Sequence, residues 1–467
     1  MAAGNLRGWS DRETGRPSAA SAAVMNQIAG WSFFLLCGLV FVLVAFPSYG
    51  ELKIGGSPNV APSRLVRLVL LGLMFIILMI KPFRMKLTAQ TDPLAKVTYY
   101  LVILFWVWSI PLVLFNASSV GYTFSQFKNE IIPVCLSFWF AVALIKRPEQ
   151  FEWVIRALGA AMVVVISVMV VEIFLKRNIF DGLLQVENFS TRLAFLDSSR
   201  DGVYRAKATF QHPLNLAHFL VSFGLLFLSK GLFHEQPFRD GLVWSLLGGV
   251  AIVCVYFTST RSGLAIGVLF LLILLSVRYL IWLRAMKNRL IAIMLGLQLL
   301  WLPIVMSIGL YLVQDFVLGR TAEQRSSTVS RLIANFNGLE GVADSPLIGH
   351  GIGVGVTKGG VSWGGGYQYT VDNLFLLTAL DNGIPAALLL LACFGVASWR
   401  LMPRWSELRR SNEVGLRVGL VMVFSTSVVM YFFYALTDLF ELCFLMIAGT
   451  LCLPDRSPVN PRKGRDT

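Results

Sequence analysis

Long apolar runs alternate with short polar stretches along almost the whole chain. Runs close to the roughly 20 residues that cross about 30 Å of hydrocarbon recur at 28–46, 65–80, 97–115, 131–145, 155–175, 213–233, 241–258, 262–283, 290–313, 374–397, 415–434 and 436–453. The pattern predicts an all-α, polytopic membrane protein with about twelve transmembrane helices. The alternating segments of about 10 residues that mark a membrane β-barrel are absent. Two intervals break the rhythm, 176–209 and 314–373. In the second, Val329, Leu332, Ile333 and Phe336 recur at helical spacing, so it is expected to fold as a partly helical cap between the ninth and tenth helices. The expected organisation is a tail (1–25), helices one to nine with the 176–209 loop (26–313), the large loop (314–373), helices ten to twelve (374–453) and a second tail (454–467). The run after the first tail is too long for the core of a signal peptide and is taken as the first span.

Composition agrees with this class. Of 467 residues, 56% are hydrophobic and 14% charged, against about 25% charged in a soluble domain. The net charge of +14 belongs to a membrane protein whose basic residues gather in cytoplasmic loops, and no nucleic acid is called for. With the N-terminus inside, the short inside loops hold Lys81/Arg84/Lys86/Lys96, Arg278/Arg284/Lys287/Arg289 and Arg400/Arg404/Arg409/Arg410. Both termini are then cytoplasmic, and the two long loops share the outer side. The six cysteines lie in or beside apolar runs without metal-like spacing, and only four histidines exist. No metal or other cofactor is expected.

The outer side collects polar residues from distant parts of the chain. Arg205, Lys207, Gln211, His212 and Asn215 lead into the sixth span. Arg261 sits between the seventh and eighth, Arg331 in the large loop, Asp372-Asn373 at the start of the tenth, and Asp438 just past the turn between the last two. Arg261, flanked by Ser259, Thr260 and Ser262, has two readings. It either snorkels to interfacial water or, with Arg205 and Arg331, grips an anion. Guanidiniums suit phosphate oxygens because they bond them bidentately and keep their charge. A lipid-linked diphosphate would place its phosphates at this level and its tail between the spans. Asp372 likewise has two compatible readings, helix cap and acceptor of a proton from an attacking hydroxyl. The glycines of Gly349-His350-Gly351-Ile352-Gly353 lack the βαβ context of a nucleotide site. Asp381-Asn382-Gly383 interrupts the tenth run about two turns in. Glu172 and Glu441 are acidic residues within apolar runs, and neither forms an evident relay of the kind a transporter needs.

Four motifs, in order, resemble the superfamily of O-antigen ligases and O-antigen/exopolysaccharide polymerases. They are Arg205…Thr209-Phe-Gln-His-Pro-Leu-Asn215, Ser259-Thr-Arg261-Ser-Gly263, Ser330-Arg331 with Ser345-Pro-Leu-Ile-Gly-His-Gly-Ile-Gly353, and Asp372-Asn373-Leu with Gly383-Ile-Pro-Ala. The resemblance implies an inner-membrane glycosyltransferase that takes a glycan from undecaprenyl diphosphate without nucleotide sugar or metal. It carries the diphosphate-binding role to Arg205, Arg261 and Arg331; Asp372, on the reading of its own position, and Arg261 are the catalytic candidates. Lys207, Gln211, His212, Asn215, Asn373 and Asp438 follow as weaker substrate contacts. Many ligases have histidine where this chain has Asp372, which favours a polymerase over a ligase. The implied partners are the lipid-linked donor, a glycan acceptor, the bilayer, a chain-length regulator and a flippase.

Overall fold

The computed structural model describes residues 19–47, 62–80, 93–115, 121, 131–180, 199–200, 203–236, 239–285, 293, 296–297, 322–351, 353–363, 368–403, 411–434 and 439–453. The fold is mostly helical. In chain order it contains α1 (Ala19–Ala45), α2 (Pro62–Ile80), α3 (Pro93–Phe115), α4 (Ile132–Leu144), α5 (Pro148–Leu175), β1 (Ser199–Arg200), β2 (Val203–Tyr204), α6 (Pro213–Leu232) and α7 (Asp240–Cys254). There follow α8 (Arg261–Ala285), α9 (Ala322–Asp344), α10 (Gly355–Gly359), β3 (Val361–Trp363), β4 (Gln368–Thr370), α11 (Leu374–Leu401), α12 (Asn412–Phe433) and α13 (Phe440–Thr450). Among the described residues, seven helices are long and apolar enough to cross a membrane, and three shorter apolar ones accompany them. The chain is a multi-pass membrane protein. Of the expected ninth span only residues 293, 296 and 297 are among those described.

The expected large loop contains α9, α10 and a two-stranded antiparallel hairpin, β3–β4, and the 176–209 loop contains a second, β1–β2. These hairpins are the departure from an all-helical chain. Runs of two or three residues such as Val203–Tyr204 carry no readable alternation.

α6 is the central helix. Nearly every residue from Pro213 to Gly231 is buried, and α7, α8 and α12 pack around it. Its position explains its composition: a helix with neighbours on all sides has no face left for lipid or water. α7, at the rim, instead shows Leu242, Val243, Leu246, Val250 and Val253 on an exposed stripe at helical spacing, as suits a lipid-facing surface. At one end of the bundle, charges are paired. Lys230 of α6 bonds Glu152 of α5 at 2.5 Å, and Arg400 donates to the carbonyls of Thr450 and Leu453 at 2.6 and 2.7 Å. The other end, where α6, α8 and α11 begin and α1, α5 and α12 finish, is built differently.

There the long helix α11 is broken. Gly383 has φ 83° inside it, a left-handed conformation that glycine alone adopts without penalty. A Cβ at Gly383 would lie 2.0 Å from the Leu347 carbonyl oxygen. The break frees backbone groups, and residues 345–355 dock onto them. His350 N–H donates to Leu380 O (2.7 Å), Gly351 N–H to Asp381 O (2.9 Å) and Ile384 N–H to Pro346 O (2.8 Å). The Asp381 carboxylate accepts from Gly355 N–H at 2.9 Å. The Gly-rich turn is therefore a latch that holds the cap to α11.

α9 forms where the spacing predicts a helix, and the apolar row that marks it faces outward. Ala334, Gly338, Gly341 and Val342 are buried, and Gly338 meets Leu376 while Gly359 of α10 meets Gly338. Val329, Leu332, Ile333, Phe336 and Leu339 are exposed, Phe336 by 69%. Small residues let α9 approach α11 closely, and close approach outweighs side-chain bulk in choosing the packed face.

Candidate functional site

The segment leading into α6 is pinned from three directions. Glu172, buried near the end of α5, accepts from the Tyr204 hydroxyl (2.6 Å), Lys207 N–H (3.2 Å) and Asn178 Nδ2 (3.2 Å) with Oε1, and from Ala208 N–H (2.6 Å) with Oε2. Ala208 takes φ 49° to present its N–H. Ala206 N–H donates to Phe257 O at 3.1 Å, Arg205 Nε to Thr258 O at 3.4 Å, and Thr209 Oγ1 to Val44 O at 2.7 Å. Arg205 and Lys207 are both buried as a result. Glu172 is thus an anchor for two cations. Its sequence signal was its place as an acidic residue in an apolar run. Glu441, the other such residue, accepts from Arg67 and Ser137 and ties α13 to α2 and α4.

His212 caps α6. Its Nδ1 accepts from Leu214 N–H at 3.1 Å, which puts the ring proton on Nε2. Gln211 and Asn215 lie on either side, the first partly buried and the second buried in the first turn of α6. Arg261 opens α8 directly after a tight turn through Ser259 at φ 50°, with Thr258 and Thr260 hydroxyls bonded at 2.7 Å behind it.

The last elements come from the cap. Arg331 of α9 donates through Nε to Asp372 Oδ2 at 2.8 Å, and both side chains are 37% exposed. Asn373, not Asp372, caps α11: its Oδ1 accepts from Leu376 N–H at 3.0 Å. The two readings of Asp372 are separated by this neighbour, which takes the cap and leaves the carboxylate to the arginine. His350 bonds Gly341 O through Nε2 at 2.7 Å and is architectural. Asp438 lies outside the described residues.

These groups meet. His212 feels Arg205, Arg331 and Lys207, and burial followed by those three charges pushes its imidazole down to about 3. Tyr434, at the end of α12 and 3% exposed, feels Arg331, Asp372, Arg205 and Arg261; burial, the largest influence, pushes its phenol up. Arg205 and Arg331 belong to both sets, so Arg205, Lys207, Arg261, Arg331 and the carboxylate of Asp372 share one electrostatic neighbourhood, with Glu172 bonded to the backbone at Lys207 behind it. The N-terminal ends of α6, α8 and α11 open onto it and add partial positive charge. Such an arrangement attracts an anion with several oxygens. Tyr434 was not singled out in the sequence, where a tyrosine ending an apolar run reads as an interfacial aromatic. Among the described residues no group of three or more His, Cys, Asp or Glu side chains could hold a metal ion.

Residues 246–391 match a family model described as O-Antigen ligase. The matched stretch runs from within α7 into α11 and includes Arg261, Arg331 and Asp372. Arg205, Lys207, His212 and Tyr434 stand outside it and reach the same cluster through the fold. A comparison with curated proteins found no match.

Proposed function

With residues 246–391 matching a family model described as O-Antigen ligase, we propose that this multi-pass membrane protein is a glycan polymerase of the O-antigen ligase and polymerase superfamily. It joins oligosaccharide repeat units carried on undecaprenyl diphosphate into exopolysaccharide or O-antigen. The observations that support this reading best are the Arg331–Asp372 pair and the shared influence of Arg205, Arg261, Arg331 and Asp372 on the buried Tyr434. The reading also keeps twelve spans, an inner-membrane location, cytoplasmic termini and a cluster facing the periplasm.

In the proposed reaction the acceptor is the terminal sugar of another lipid-linked unit. Its hydroxyl oxygen attacks the anomeric carbon of the donor glycan. The bond from that carbon to the diphosphate breaks, and undecaprenyl diphosphate leaves with the bonding electron pair. One displacement inverts the anomeric centre. Arg205, Arg261 and Arg331 neutralise the charge that grows on the leaving group. Arg331 binds Oδ2 of Asp372, and the other carboxylate oxygen is where the acceptor hydroxyl would place its proton. Neither nucleotide nor metal is needed, since the donor is already activated by its diphosphate.

The test uses the purified full-length protein and a defined undecaprenyl-diphosphate-linked repeat, with no nucleotide or metal added. Longer glycan on a gel is expected. Arg261→Ala should cut the rate at least about 100-fold, the scale for losing one group aimed at developing charge, while still inserting into the membrane. Normal chain lengths in that variant would remove the phosphate role.

The matched family's description favours a second reading, transfer of finished polymer to lipid A–core. A strain lacking the gene separates the two: single lipid-linked repeats accumulate if a polymerase is lost, long polymer on undecaprenyl if a ligase is.

A further inference from the structure

Tyr434 follows the last residue of α12 in an extended conformation, φ −146° and ψ 135°. This turns its ring inward from the helix end, and the side chain is 3% exposed. Its hydroxyl has no hydrogen-bond partner among the described residues. A buried hydroxyl is normally bonded, because leaving it unbonded forfeits its hydration without return. The groups closest in electrostatic influence are Arg205, Arg261, Arg331 and Asp372. Three of these four are guanidiniums, which donate hydrogen bonds and accept none. The fourth, the Asp372 carboxylate, is bonded to Arg331 and not to the phenol, so the acceptor that suits this hydroxyl is an anion gathered by the guanidiniums.

We propose that Tyr434 is a substrate-contacting residue whose hydroxyl donates a hydrogen bond to a phosphate oxygen of the diphosphate held by Arg205, Arg261 and Arg331. The inference rests on the diphosphate reading of the site and adds a neutral donor to it. A phenol, with an ordinary pKa of about 10, stays protonated and donates throughout the physiological pH range. A tyrosine here brings a donor without a further charge, in a cluster already crowded with cations whose mutual repulsion a fifth would raise.

The experiment measures binding of undecaprenyl diphosphate to the purified full-length protein in detergent, together with thermal unfolding of the ligand-free form. Four proteins are compared: wild type, Tyr434→Phe, Arg261→Ala, and Tyr100→Phe as a control on the exposed face of α3. The proposal expects Tyr434→Phe to bind on the order of tenfold more weakly, the worth of one hydrogen bond to a charged acceptor. Its ligand-free melting temperature should stay equal to wild type or rise, since an unbonded buried hydroxyl has been removed. Tyr100→Phe should change neither quantity. Undiminished binding by Tyr434→Phe would overturn the proposal, and so would a fall in its ligand-free melting temperature, which would reveal a partner within the protein. If Arg261→Ala weakens binding and Tyr434→Phe does not, the diphosphate reading stands and the tyrosine's role falls. If wild type does not bind the lipid diphosphate, both fall.

Discussion

His212 carries a pH dependence that can be checked. Its imidazole is held down to about 3 by burial and by Arg205, Arg331 and Lys207, against about 6.5 in an unfolded chain. Between those values the unfolded state binds a proton that the folded state refuses, so stability falls as pH drops below about 6.5 toward 3. His212→Gln should lose less thermal stability than wild type between pH 7 and 5, read as melting temperature in detergent across that range. The Arg331–Asp372 pair behaves differently. Both side chains are more than a third exposed, so Arg331→Ala should change stability by at most about 1 kcal/mol while transfer drops sharply; unfolding and activity measured on one preparation separate the two. At this scale the sequence was legible wherever a charge stood out against apolar surroundings. That is how Arg205, Arg261, Arg331 and Asp372 could be named. A tyrosine at a helix end offers no such contrast, and the division of labour between Asp372 and Asn373 depends on which side chain the backbone aims at Leu376 N–H.

Among the elements, the strand-and-turn segment 203–212 is the most dependent on a single residue. Glu172 uses both carboxylate oxygens, each facing N–H or O–H donors. A glutamine cannot match this, because an NH2 donor replaces one of the two accepting oxygens. Glu172→Gln should destabilise the protein by about 1–3 kcal/mol and weaken diphosphate binding through Arg205 and Lys207, seen in melting and binding assays. Gly383→Ala tests the latch. The left-handed backbone and the Leu347 carbonyl both oppose a Cβ, so a lower melting temperature and reduced transfer are expected. Helical periodicity located α9 well but could not choose its packed face. Bulk usually marks the buried side of a helix, whereas here Ala334, Gly338 and Gly341 form the contact. Asp381-Asn382-Gly383 signalled an interruption of α11; what occupied the interruption, a turn some thirty residues earlier, was not written in its neighbourhood.

Across the whole molecule the two ends differ in electrical character. Lys230, Arg400 and Arg417 are each bonded to a carboxylate or carbonyl, while among the described residues the opposite end brings Arg205, Lys207, Arg261 and Arg331 to the same region as Asp372 and Glu172. If the cation-rich end faces outward, Leu347→Cys should react with a membrane-impermeant maleimide on intact cells. Glu149→Cys, exposed at the other end, should react only after the membrane is opened, with wild type as the background. The reverse labelling pattern would invert the proposed topology. Apolar run lengths located most helices because crossing hydrocarbon fixes them. Alternation of the runs further predicted that distant polar segments share one surface. Their meeting in a single cluster depends on which helix ends abut α6, and that is decided by packing alone.

The exposed row Val329, Leu332, Ile333, Phe336 and Leu339 along α9 has a practical corollary for anyone dissecting the protein. The described cap sets this greasy row on one side of α9 and seats its glycines against α11 on the other, so an isolated cap would carry two uncovered faces. Cut free and produced alone, residues 314–373 should clump rather than stay dispersed, and work on this region calls for the intact chain kept in detergent or lipid.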